Sequence, residues 1–183
     1  PLDYLDSAAT AQKPRQVINA VTRYYKTYNA NIHRGIYAIS ERATEEYQES
    51  KEMLAKFING GDYKNIVYVR NTTEAINLVA LTWGEQNIKE GDHILISKME
   101  HHSNIVPWQL LARKKKAILD YIELKDEKFI DMDDYKEKLK NNPKIVSITH
   151  VSNVLGTIND IRYITRLAKE NGAVVLVDGA QST

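Results

Sequence analysis

Five short apolar runs recur along this chain, at residues 66–69, 93–97, 118–122, 145–149 and 173–177. Each is about five residues long, and they return about every 25 to 30 residues with helical periodicity between them. The intervening helices are expected near 75–83, 104–115, 132–140 and 161–171. Short apolar strands alternating with helices are the pattern of βαβ units, and such units build a mostly parallel sheet with both faces covered. The expected fold class is therefore α/β, an α-β-α sandwich with flanking helices.

The first sixty residues follow a different rhythm. Residues 2–13 read as an irregular arm. Pro14 suits the first turn of a helix, and Val17, Ile18, Val21, Tyr24, Tyr25 and Tyr28 share one helical face. Residues 29–39 read as a loop. Ser40 is the expected N-cap of a second helix, with Ala43, Tyr47, Leu54, Phe57 and Ile58 inward and Gly60-Gly61 at its end. The expected organisation is an arm with two helices over 1–60, followed by five βα units over 61–183.

Charge and composition exclude several classes of function. With 25 basic and 24 acidic residues the net charge is +1, so no global field favours nucleic acid. The run Arg113-Lys114-Lys115-Lys116 falls at an expected helix end, where cations complement the helix dipole. With zero cysteines, these residues hold no disulfide, thiolate metal site or cysteine nucleophile. No apolar run approaches a membrane span and no signal peptide precedes Pro1, so a cytoplasmic protein is expected.

In an open α/β sheet, ligands gather at the carboxyl ends of the strands. After 66–69 comes Arg70-Asn71-Thr72-Thr73-Glu74, a helix start with free amides and two hydroxyls. It suits a phosphate, or is ordinary capping. After 93–97 comes Glu100-His101-His102-Ser103-Asn104. Adjacent histidines diverge, and without cysteine a zinc site is not supported, so no metal is expected. His101 is either a ring stacked on a planar cofactor or a loop histidine without function. After 145–149, Asn153 is either a donor to an anionic oxygen or a turn residue. After 173–177, Asp178 is either a buried partner for a cationic nitrogen or a cap of the next helix, with Gln181 close behind. Taken together these groups form the set that pyridoxal phosphate (PLP) needs: a phosphate seat, a stacking ring, an amide and a carboxylate that keeps the pyridine nitrogen protonated.

Six blocks carry a resemblance. They are Tyr4-Leu5-Asp6-Ser7-Ala8-Ala9, Asn31-Ile32-His33-Arg34-Gly35, the stretch from Val69 through Asn71-Thr72-Thr73-Glu74 to Val79, Met99-Glu100-His101-His102-Ser103-Asn104-Ile105-Val106-Pro107-Trp108, Thr149-His150-Val151-Ser152-Asn153-Val154-Leu155-Gly156-Thr157, and Val177-Asp178-Gly179-Ala180-Gln181-Ser182. In this order they resemble the N-terminal half of SUF-type cysteine desulfurases. These belong to the class V aminotransferase branch of fold type I PLP enzymes. The resemblance implies that Thr72 and Thr73 hold the PLP phosphate and that His101 stacks on the ring and assists proton transfer. It places Asp178 against the pyridine nitrogen and Gln181 against the ring hydroxyl oxygen. It assigns Asn153 to the substrate carboxylate, Ala8 and Ala9 to the substrate pocket, and His33, Arg34 and Glu74 to the dimer face and site rim. Ser103 stands where relatives often have Ala, and Asn71 where they often have Gly.

The implied reaction takes sulfur from L-cysteine, leaves L-alanine, and passes a persulfide to an acceptor protein of the SUF system for iron–sulfur cluster assembly. The implied enzyme is a homodimer. Its cofactor-linking lysine, its mobile cysteine and its carboxylate-binding arginine would all lie downstream, so covalent attachment of PLP within these residues is not expected. The expected reading is an N-terminal portion of a desulfurase, inactive alone. The alternatives are a selenocysteine lyase of the same family and a short non-catalytic homologue acting as a binding module. The strand at 66–69 is expected to lack its neighbour, because the fold places later strands beside it.

Overall fold

In β1 (His93–Ser97) successive side chains take opposite faces of the sheet, and both faces are buried. Ile94 and Ile96 join a core with Ile76, Ala80, Trp108, Leu111 and Ala112, while Leu95 joins Ile122, Tyr135, Leu139, Ile164 and Ala168 on the other side. β5 (Ile145–Thr149) divides the same way, with Ile145 on the first side and Val146 and Ile148 on the second. Side chains buried on both faces are what a covered parallel sheet demands, and they explain the unbroken apolar runs. The structure, a computed structural model, describes residues 3–183. Pro1, and Leu2 at the start of the expected arm, lie outside the described residues. The chain divides after Tyr68 into two units.

The C-terminal unit holds four parallel strands in the order β2-β1-β5-β6, with β2 at Ile118–Ile122 and β6 at Val174–Asp178. Helices α3 (Thr72–Val79) and α5 (Val106–Lys115) supply one core, and α6 (Met132–Leu139) and α7 (Ile161–Glu170) the other. After α3 the chain makes a π-helical turn at Ala80–Gly84 into the short α4 (Glu85–Asn87). A Cβ on Gly84 would lie 2.6 Å from Leu111 Cδ2, so this turn presses directly on α5. α5 ends at Lys116 in the left-handed conformation. Its basic end is met by acids: Lys114 and Lys115 reach Glu85 at 2.6 and 3.1 Å, and Lys116 reaches Glu90 at 3.6 Å. Asp131 and Asp160 cap α6 and α7 through their side chains.

Two features differ from the expectation. The sheet has four strands, because residues 66–69 form none. Ile66 has extended dihedrals, yet no strand pairs with it, and Val67 stands 66% exposed. A strand needs a partner for its backbone groups, and apolar character alone does not supply one. The second difference is a small antiparallel hairpin, β3 (Leu124–Lys125) with β4 (Phe129–Ile130), which the strand–helix rhythm does not reveal.

In the N-terminal unit, α1 (Arg15–Thr27) begins after Pro14, which serves as N-cap rather than first-turn residue. Of its apolar stripe, Val17, Ile18, Val21 and Tyr25 are exposed and Tyr28 is buried. The Tyr28 hydroxyl donates to Glu46, and the Arg42 guanidinium lies 4.0 Å over the Tyr28 ring. α2 (Ala38–Phe57) starts before the expected cap: Tyr37 holds that place and Ser40 lies buried within the helix. The cause is a close approach. A Cβ on Gly35 would sit 1.9 Å from Ser40 Oγ, so the chain entering the helix folds over Ser40 and covers it. Among the described residues no helix is long and apolar enough to cross a membrane.

Candidate active site

The start of α3 is organised by a side-chain N-cap and a carboxylate that reaches back one residue beyond it. Asn71 Oδ1 accepts from the Glu74 amide at 2.9 Å, and the Glu74 carboxylate accepts from the Arg70 amide at 2.6 Å. Arg70 also donates from Nε and Nη2 at 3.1 and 3.2 Å, and this guanidinium, with the amide, holds the Glu74 carboxyl below the usual carboxylate range. Glu74 is thus committed to the helix start. The first-turn amides of Thr72 and Thr73 lie outside the helix's own hydrogen-bond ladder, at its positive end. Thr73 Oγ1 is 2.7 Å from Ser103 Oγ, which ties this seat to the loop after β1.

That loop rests on a buried polar network. Ser97 Oγ donates to Glu100 Oε1 at 2.5 Å, Asn104 Nδ2 donates to Oε2 at 2.6 Å, and the Thr149 amide donates to Oε1 at 3.0 Å. Asn104 Oδ1 in turn accepts from Trp108 Nε1 at 2.9 Å and Ser147 Oγ at 2.5 Å. The indole can only donate, so it fixes the Asn104 amide and points Nδ2 at Glu100. Burial pushes the Glu100 carboxyl up to about 7, opposed by its three donors and reinforced by the charge of Asp178. Glu100, Asn104, Ser97 and Ser147 were not singled out from sequence. The four-residue steps Glu100–Asn104–Trp108 were the available signal, since they place the three on one side of a helical turn.

His101 follows with an extended backbone and caps the 3-10 turn His102–Asn104. Its Nδ1 accepts from the Ser103 amide at 3.2 Å and lies 2.9 Å from Ser103 Oγ. The His102 ring stands nearly perpendicular, 6.0 Å away. Among the described residues no group of three or more His, Asp or Glu could hold a metal ion.

Asp178 ends β6 and is buried, with Oδ1 accepting from the Ala180 amide at 3.0 Å. Its pair in register is Thr149, whose amide donates to Glu100, and the His150 amide donates to the Asp178 carbonyl at 2.9 Å. Neighbouring strands lie about 4.8 Å apart, and β5 stands between β6 and β1, so Asp178 and the Glu100–His101 loop share the carboxyl edge of the sheet with one strand between them. Gln181 is half-buried in the turn after β6. Asn153 lies exposed in the turn after β5, where Ser152 Oγ accepts from the Leu155 amide at 3.1 Å and Gly156 takes a positive φ of 68°. The edge therefore gathers Thr72, Thr73, His101, Asp178 and Gln181 in one unit. Ala8, Ala9, His33 and Arg34 belong to the N-terminal unit: both alanines are exposed in a turn closed by the Ala9 amide on the Asp6 carbonyl. His33 holds φ at 70°, with its amide donating to Thr44 Oγ1 and its ring edge-on to Tyr47.

A family model described as aminotransferase class-V matches residues 3–183. A probable cysteine desulfurase of Synechocystis sp. is 48% identical over 182 residues, covering 100% of this chain and 43% of its own length. The apo structure of a cysteine desulfurase from Thermococcus onnurineus NA1 matches with a TM-score of 0.92 at 43% identity, covering 97% of this chain and 44% of that one. A C-DES mutant with glycine covalently linked to its PLP cofactor shares the fold, with a TM-score of 0.81 at 19% identity over 96% of this chain and 46% of that one. The chain spans less than half the length of these relatives.

Proposed function

Because the chain belongs to the class V aminotransferase family, we propose that it carries the cofactor-binding edge of a PLP-dependent cysteine desulfurase. One observation carries this reading. Hydroxyls and first-turn amides suited to an anion, an exposed imidazole, and a buried carboxylate suited to a cation share the carboxyl edge of one sheet. PLP presents a phosphate, a flat ring and a basic ring nitrogen, so the donor set fits it. When bound with that nitrogen protonated, PLP withdraws electrons from the reacting carbon of its substrate. Thr72 and Thr73 would hold the phosphate through amides and hydroxyls. Asp178 would keep the proton on the ring nitrogen, since an unscreened carboxylate stabilises a neighbouring cation strongly. Gln181 would bond the ring hydroxyl oxygen. His101 would lie over the ring and hold a transferable proton at Nε2. Asn153 is assigned to the substrate carboxylate, Ala8 and Ala9 to the pocket wall, and His33, Arg34 and Glu74 to the dimer face and rim.

On this reading the substrate is L-cysteine and the product L-alanine, with the sulfur leaving to an acceptor protein of the SUF system. The working form is a cytoplasmic homodimer serving iron–sulfur cluster assembly. The desulfurase names of relatives at 48% and 43% identity support the substrate class. The test is Asp178→Ala in the full-length protein. Cofactor measured by absorbance after gel filtration should fall to background, and retention equal to wild type would sink the assignment.

A further inference from the structure

Between the anion seat and the imidazole stands one hydroxyl, that of Ser103. It lies 2.9 Å from His101 Nδ1 and 2.7 Å from Thr73 Oγ1. The directions of these bonds are set by a neighbour that has no choice. The Ser103 backbone amide, 3.2 Å from His101 Nδ1, can only donate, so Nδ1 accepts and the neutral ring carries its proton on Nε2. A nitrogen that accepts receives the Ser103 hydroxyl proton as well. Ser103 Oγ then takes the Thr73 proton, and the chain runs Thr73 to Ser103 to His101. An anion seated on the α3 amides changes this order. Its charged oxygens accept, so Thr73 turns its proton toward them and Ser103 turns its own toward Thr73 Oγ1. His101 Nδ1 is left with the backbone amide alone. Ser103 is half-buried and both its partners are exposed, so the hydroxyls can rotate without disturbing the core.

We propose that Ser103 is a positioning residue that relays occupancy of the phosphate seat to His101 Nδ1 while keeping the imidazole proton on Nε2. The inference rests on the phosphate seat proposed above and adds a coupling between it and the histidine.

The experiment is nitrogen NMR of the His101 ring in the full-length protein stripped of cofactor, titrated with inorganic phosphate at a pH where the ring is neutral. The wild type should show the Nε2-protonated form, with an Nδ1 resonance that moves as the Thr72 and Thr73 amides saturate. Ser103→Ala should keep the amide shifts and lose the Nδ1 response, and Ser103→Thr should restore it. Moved amides with an unmoved Nδ1 in the wild type, or an equal response in Ser103→Ala, would overturn the relay and leave the seat standing. Unmoved Thr72 and Thr73 amides would remove the seat and the relay together. A loss of Nδ1 response that Ser103→Thr fails to restore would also count against the relay, because it would mark a structural role for the serine.

Discussion

Glu100 accepts hydrogen bonds from Ser97, Asn104 and the Thr149 amide, yet burial raises its proton affinity to about 7. Three donors favour the carboxylate, and the dry surroundings with the nearby Asp178 charge favour the acid. Burial is the larger effect. The folded pKa is thus above the ordinary glutamate value, so the folded state binds the proton more tightly than the unfolded chain. Its contribution to stability is full below pH about 4.5 and is lost as pH rises through about 7. The shift corresponds to a loss on the order of 3 kcal/mol. Glu100→Gln removes the titration at a constant cost, because its NH2 group must face a fixed donor, either the Asn104 amide that Trp108 orients or the Thr149 backbone amide. Urea unfolding of both proteins between pH 4.5 and 8 should show wild type losing ground to the variant as pH rises. A difference flat across that range would overturn the account. Glu100 is hard to find from sequence, because the residues around it draw attention as groups that face a ligand and this one faces inward.

At the scale of elements, legibility depended on how local the cause was. Strands β1 and β5 were legible because burial on both faces writes continuous apolar runs, and the half-exposed edge strands β2 and β6 were legible from their place in the strand–helix rhythm. The segment 66–69 has the same composition and forms no strand, because pairing depends on a neighbour distant in the chain. The β3–β4 hairpin was hidden for the opposite reason. Its turn places Asp126 and Glu127 at φ of 53° and 56°, with the Lys128 amide donating to the Lys125 carbonyl at 3.2 Å. Hairpin turns with two positive φ values favour Asp-Gly, and here the glycine signal is missing. Glu127→Gly restores it and relieves a strained left-handed residue. The gain should be about 0.5–1 kcal/mol after the entropy cost of glycine, read as a raised urea midpoint at unchanged slope. A lowered midpoint would mean that the turn is held by contacts of the Glu127 side chain instead.

For the whole molecule, the family was legible from six blocks in order. The candidate residues of the proposed site were named from the ends of the expected strands; Asp178 and His101 do follow strands, while the Thr72–Thr73 pair opens α3 after a segment that forms none. The Ser103 link and the Glu100 network were not, since hydrogen-bond direction depends on geometry that spacing does not encode. The same division bears on activity. Removing sulfur from cysteine requires a cofactor seat and also a nucleophile that takes the sulfur atom. The residues of the proposed seat lie within this chain, but these 183 residues contain no cysteine, so no thiol among them can become a persulfide. If the seat forms in these residues alone, they should bind PLP and stop there. The 183-residue chain, given PLP and L-cysteine, should therefore release no alanine above the rate of free PLP, while its cofactor absorbance differs from free PLP and returns to it in Asp178→Ala. Alanine formed above that background would mean that the sulfur leaves without a protein thiol, and the assignment as a persulfide-forming desulfurase would fall.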